Sequence, residues 1–147
     1  MHVFVAYDHR GQSLKNAVLA TLAALHVTAV DLGSVGDLND DYPDFAEQVA
    51  QRVAAEPTGR GILMCGSGAG MAIAANKIAG IRAATADTVA IAKLIRSDDD
   101  ANVLALASTQ LTNEEVPAII EAFLTTAFDG GRHQRRINKI TALEHHS

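Results

Sequence analysis

Short β-branched runs alternate with longer Ala/Leu-rich stretches along this sequence, and that alternation leaves few architectures open. Val3–Ala6 precedes a helical pattern from about Gln12 to Leu25. Val27–Leu32 precedes another from about Pro43 to Ala55, where a proline suits the first turn of a helix. Gly61–Cys65 turns directly into a glycine-rich segment and then the Ala-rich Met71–Ile78. Ile81–Ala84 leads into a helix from about Thr88 to Arg96, and Val103–Ala107 into one from about Asn113 to Phe128. The tail from Gly131 to His146 reads as a last helix.

Strands that are apolar throughout belong to a parallel sheet covered on both faces. Three of the five runs here are of that kind, and five strands, each followed by a helix, predict a three-layer, Rossmann-like, doubly wound α/β fold with a five-stranded parallel sheet and a C-terminal helix. At 147 residues, with no linker, repeat or low-complexity tract, the chain reads as one domain over 1–147. Aromatics are only 4% of the chain, so the core is built from Ala, Val, Leu and Ile. A net charge of −5 argues against a nucleic-acid partner. The apolar stretches fall short of the ~20 residues of a membrane span, and no signal peptide opens the chain. A cytoplasmic protein is expected. The one cysteine cannot form an internal disulfide or a multi-cysteine metal cluster.

In doubly wound folds ligands bind beyond the carboxyl ends of the strands, so the segments there carry the chemistry. Cys65-Gly66-Ser67-Gly68-Ala69-Gly70-Met71 follows the third strand. Its glycines let a ligand approach the backbone, its N–H groups can form an anion-binding nest, and the next helix adds a positive end. Those surroundings favour a thiolate at Cys65. A thiolate beside anion-stabilising amides is what proton abstraction next to a carbonyl requires, with the Ser67 hydroxyl as a further donor or acceptor. A buried, inert cysteine before an ordinary tight turn is the alternative. The P-loop lysine and the fuller dinucleotide fingerprint are both missing, so neither ATP nor NAD is favoured.

Arg132 and Arg136 stand four apart at the start of the last helix, so both guanidinium groups reach one side and suit a phosphate. A solvated basic face is the competing reading. Asp8-His9, after the first strand, offers an orienting carboxylate and a hydroxyl or phosphate donor, or else a capping Asp and a surface His. His2, His26, His145 and His146 show no ligand spacing with a third partner, and no metal site is supported.

Six segments together resemble the ribose-5-phosphate isomerase B family, which includes the galactose-6-phosphate isomerase subunits. They are Asp8-His9-Arg10-Gly11, Asp41-Tyr42-Pro43, Cys65 to Gly70, Ala74-Ala75-Asn76-Lys77 with Gly80-Ile81-Arg82-Ala83, Asn102-Val103-Leu104, and Gly130-Gly131-Arg132-His133-Gln134. The resemblance runs in register over essentially the whole chain. It implies an aldose–ketose isomerase acting on a sugar phosphate through a cis-enediolate, with no metal or organic cofactor. It also implies a homodimer with two composite active sites, with pairing into tetramers left open. Cys65 matches the residue that moves the proton between C1 and C2. Gly66, Ser67, Gly68, Ala69 and Gly70 match the enediolate hole, Asp8, His9 and Tyr42 the substrate contacts, and Arg132 and Arg136 the phosphate and substrate ligands. Some relatives carry a Glu base after the glycine loop; that position is Met71 here, so the cysteine branch is the fit.

Three positions depart from the family pattern. Asp98-Asp99 stands where His-Asn is usual, the His being thought to open the furanose ring, and Thr109 stands where an Arg is expected near the phosphate. Two negative charges are added and a positive one is lost, at a helix end whose dipole disfavours anions; Lys93 and Arg96 can offset part of this. Asp98 is then the candidate ring-opening group, with Asp99 a substrate contact. Three readings follow: a ribose-5-phosphate isomerase; an isomerase for another sugar phosphate, such as an open-chain tetrose 4-phosphate that needs no ring opener or a hexose 6-phosphate; and a non-catalytic phosphosugar-binding or partner subunit. The intact Cys65 and its glycine loop argue against the third.

Overall fold

A computed structural model describes residues 1–145. Residue 146, where the last helix was expected to end, lies outside them. The strands are β1 (His2–Tyr7), β2 (Thr28–Asp31), β3 (Arg60–Cys65), β4 (Ala83–Thr85) and β5 (Val103–Ala107). They form one parallel sheet in the order β2-β1-β3-β5-β4. The helices are α1 (Lys15–Ala24), α2 (Tyr42–Ala55), α3 (Ala69–Ala75), α4 (Val89–Ser97), α5 (Val116–Thr125) and α6 (Arg132–Leu143), with a 3₁₀ turn at Gly11–Leu14 before α1.

The side chains of the central strands alternate between two cores, as the period of two requires. Val3, Val5, Tyr7, Ile62, Met64, Leu104 and Leu106 face α1, α4 and α5, where Phe123 and Leu22 are fully buried. Phe4, Ala6, Leu63, Cys65, Val103 and Ala105 face α2 and α3. The result is the expected three-layer, doubly wound α/β fold.

Several boundaries differ from the periodicity. Pro43 does sit in the first turn of α2, but α3 starts at Ala69, inside the glycine-rich segment, and ends at Ala75. The fourth strand starts two residues later than its apolar pattern and covers Ala83–Thr85, with asparagine side chains bonded at and before its start. The Asn76 amide brackets Ala83, donating to its carbonyl at 2.9 Å and accepting from its N–H at 2.7 Å. Asn102 accepts from Arg82 N–H and donates to Gly80 O, both at 2.8 Å.

The strand order reverses between β1 and β3, so the crevice where open α/β sheets hold ligands opens at their carboxyl ends. The chain leaving β1 crosses β3 tightly there. Gly11 lies so near the Met64 carbonyl that any side chain would overlap it.

Candidate active site

The last ladder pair between β1 and β3 is Tyr7–Met64, and the next residue of each strand is Asp8 and Cys65. Cys65 is 5% exposed. The chain behind it turns back through Gly68, whose φ of +76° lies in the left-handed region open to glycine. That conformation points the Gly68 N–H at the Cys65 Sγ, 3.1 Å away. Such a donor suits a sulfur carrying negative charge better than a neutral thiol. The first turn of α3 starts one residue later, at Ala69. Ser67 is exposed, its Oγ accepting from Ala69 N–H at 3.3 Å. Thr109, reached after β5, donates through both its N–H (3.1 Å) and its hydroxyl (2.8 Å) to Gly66 O. Its side chain is thus committed to holding the loop's shape.

Two residues roof this loop. The Tyr42 ring packs on Gly70, 2.7 Å from where a Cβ would stand, and the Arg10 guanidinium lies against Gly66. The resemblance names Tyr42 as a substrate contact and Arg10 only as part of a motif; the packing of both on this loop is a finding of the structure.

Asp8 and His9 separate in role. Asp8 is 4% exposed, and its Oδ1 accepts from the N–H groups of Arg10 (3.0 Å) and Gly11 (2.8 Å), so it caps the turn. The carboxylate orienting His9 is not Asp8. It is Asp40, from the loop between β2 and α2, whose Oδ1 lies 2.6 Å from His9 Nδ1 and 3.2 Å from His9 N. The Ser34 hydroxyl bonds the other Asp40 oxygen. Burial pushes the Asp40 carboxyl up, but the hydrogen bonds from Ser34 and His9 outweigh it and hold it below its ordinary value. Asp40 escaped the sequence reading because Asp37, Asp40 and Asp41 look alike in a polar loop. Only the fold selects one.

Asp98, Asp99, Arg132 and Arg136 form a second group elsewhere. Asp98 follows α4 as its C-cap, as expected, and accepts from the Ser97 hydroxyl at 2.9 Å. The same Asp98 oxygen lies 3.9 Å from His133 Nε2, beside Arg132 at the start of α6. Asp100 pairs with Arg96 (2.8 Å) and Arg82 (3.1 Å), so Arg96 does offset part of the acidic run. Asp99 lines a groove of about 700 Å³ with Arg82, Ile140 and Leu143. This cluster lies at the amino ends of β4 and β5, because α4 runs back from the carboxyl end of β4 to the start of β5. Cys65 is at the opposite end of a six-residue strand, about 20 Å long. One protomer therefore brings together Asp8, His9, Tyr42 and Cys65 to Gly70, but keeps Asp98, Asp99, Arg132 and Arg136 apart from them.

Among the described residues, two carboxylate–histidine groups gather ligand-type atoms within 4.8 Å: Asp8, His9 and Asp40, and Asp98, Asp129 and His133. In the first, the hydrogen bonds above already engage the carboxylates. No helix among the described residues is long and apolar enough to cross a membrane.

Comparison with known proteins gives a consistent answer. Residues 3–140 match the family described as Ribose/Galactose Isomerase. Ribose-5-phosphate isomerase B of Escherichia coli is 43% identical over 137 residues, covering 93% of this chain and 92% of that one. The probable ribose-5-phosphate isomerase B of Mycoplasma pneumoniae is 44% identical over 143 residues, covering 97% and 94%. The crystal structure of ribose-5-phosphate isomerase B from Mycoplasma genitalium with bound ribulose-5-phosphate superposes with a TM-score of 0.95 at 44% identity, covering 99% of this chain and 97% of that one.

Proposed function

The chain belongs to the ribose/galactose isomerase family, and we propose that it interconverts ribose 5-phosphate and ribulose 5-phosphate, with Cys65 moving the proton. The observation that carries this reading is Cys65 Sγ, set at the reversal point of the sheet with the Gly68 N–H upon it. In the open-chain aldose, the thiolate takes the proton from C2. The electron pair flows into the carbonyl and leaves a cis-enediolate, whose charge is held by the amides of Gly66 to Gly70 and the Ser67 hydroxyl. The resulting thiol returns the proton to C1 while the O2 proton passes to O1, giving the ketose. Asp8, His9 and Tyr42 hold the sugar hydroxyls, and the paired forks of Arg132 and Arg136 hold the phosphate. No metal or organic cofactor enters these steps.

Because Arg132, Arg136, Asp98 and Asp99 lie at the far end of their own sheet, the complete site needs a second copy of the chain. Each protomer then supplies the cysteine half of one site and the arginine half of the other. Exposed Ile73, Ile91, Leu94, Ile140 and Leu143 are the apolar surface such a homodimer would cover.

Asp98 favours a second reading. A carboxylate already bonded to Ser97 and facing His133 is a poor ring opener, which suits an open-chain substrate such as a tetrose 4-phosphate. Proton NMR in D₂O decides. Purified protein is expected to convert ribose 5-phosphate to the ketose with deuterium entering C1, and Cys65→Ala to lower turnover roughly a hundred- to ten-thousand-fold. Conversion of a tetrose 4-phosphate alone would establish the second reading. Conversion of neither by folded protein would leave a hexose 6-phosphate isomerase or a binding subunit.

A further inference from the structure

We propose that Asp40, held in place by Ser34, is a positioning residue that fixes the proton of His9 on Nδ1 and leaves Nε2 as its working nitrogen. This rests on the reading of His9 as a substrate contact and adds a residue that neither the motifs nor their spacing identified. The 2.6 Å separation between His9 Nδ1 and Asp40 Oδ1 requires a proton between them, because an ionised carboxylate can only accept. The proton therefore belongs to Nδ1 in the neutral imidazole, and Nε2, on the far edge of the ring, is the nitrogen left to accept from a substrate hydroxyl. A second bond locks the arrangement: the backbone N–H of His9 donates to the same Asp40 oxygen at 3.2 Å.

Asp40 is itself fixed. Its second oxygen takes the Ser34 hydroxyl, and the Ser34 Oγ in turn accepts from Gly36 N–H at 3.0 Å. The Ser34 N–H donates to Tyr7 O at 2.8 Å, which ties the loop to the end of β1. Both side chains are sheltered: Asp40 is 8% exposed and Ser34 4%. A surface ion pair would have neither the burial nor the second partner. The chain Gly36–Ser34–Asp40–His9 reproduces the logic by which a buried carboxylate sets the tautomer of a catalytic imidazole.

The test combines tautomer with kinetics. Long-range ¹H–¹⁵N spectra of histidine-labelled protein, with His9 assigned by its loss in His9→Gln, are expected to show the neutral ring protonated on Nδ1. Asp40→Asn keeps the shape of the side chain but can donate to the ring, so the Nε2-protonated form should appear. In the same variant kcat for ribose 5-phosphate should fall about ten- to a hundredfold, with KM changed less than about threefold. Ser34→Ala should move both readouts the same way by less, and it carries the test if Asp40→Asn does not fold. Wild-type His9 protonated on Nε2, or variants with unaltered tautomer and kcat, would overturn the proposal. If wild-type protein isomerises no ribose 5-phosphate, the functional reading falls, and the tautomer spectra alone decide the role of Asp40.

Discussion

Gly68 carries two duties that no other residue type combines. Its φ of +76° is one that an L side chain adopts at a cost of about 1–2 kcal/mol. A Cβ there would also stand 3.3 Å from the Leu106 carbonyl carbon on β5. Gly68→Ala should therefore lower the unfolding free energy by about 1–2 kcal/mol, measured by urea titration. It should also reduce kcat at a fixed protein concentration, because relaxing the turn withdraws the N–H from Cys65 Sγ. Stability lost with kcat intact would show that this contact does not assist proton transfer. The cysteine and its glycines were legible at this scale because thiol chemistry and left-handed turns each demand particular residue types. Asp40 was not. The sequence left Asp8 open as an orienting carboxylate or a cap; it is the cap, drawn onto the N–H groups of its own turn, and His9 finds its partner 31 residues away.

The elements were legible where burial alone defines them. β1, β3 and β5 are buried through nearly their whole length, and each appeared as an apolar run. The edge strands were harder, since β2 shows a mostly exposed pattern and β4 has three residues. What defines β4 is a pair of asparagine side chains standing in for a strand. Removing the two hydrogen bonds of Asn76 to Ala83 in Asn76→Ala should cost about 1–2 kcal/mol. The loss should appear in denaturant titration, with faster amide exchange at Ala83 to Thr85. Because Cys65 lies two strands away, turnover should survive. A variant as stable as the wild type would mean that water replaces the amide at no cost.

Across the whole molecule, the residues expected to make one site are divided between the two ends of the sheet. The i, i+4 spacing of Arg132 and Arg136 revealed a pair of guanidinium groups on one helix, but nothing in the spacing says which end of the sheet that helix crosses. α6 starts beside the C-terminus of α4, where Asp129 N–H meets Ser97 O at 3.0 Å, and its far end reaches Gly80, whose N–H donates to Glu144 at 2.8 Å. It therefore runs past the amino ends of β4 and β5, buries Ile137, and leaves Ile140 and Leu143 exposed. If two copies complete each other, defects in opposite halves of the site must complement. Cys65→Ala protein and Arg132→Ala/Arg136→Ala protein should each be nearly inactive. When they are co-refolded in equal amounts, half of the dimers are mixed, and each mixed dimer regains one intact site of its two. Specific activity should then recover to about a quarter of the wild type, as a symmetric two-site dimer requires. No recovery from a mixture that demonstrably exchanges subunits would return both arginines to the cysteine's own protomer, which would demand a large movement of α6. Recovery near one quarter would establish that a lone copy of this chain has no complete active site.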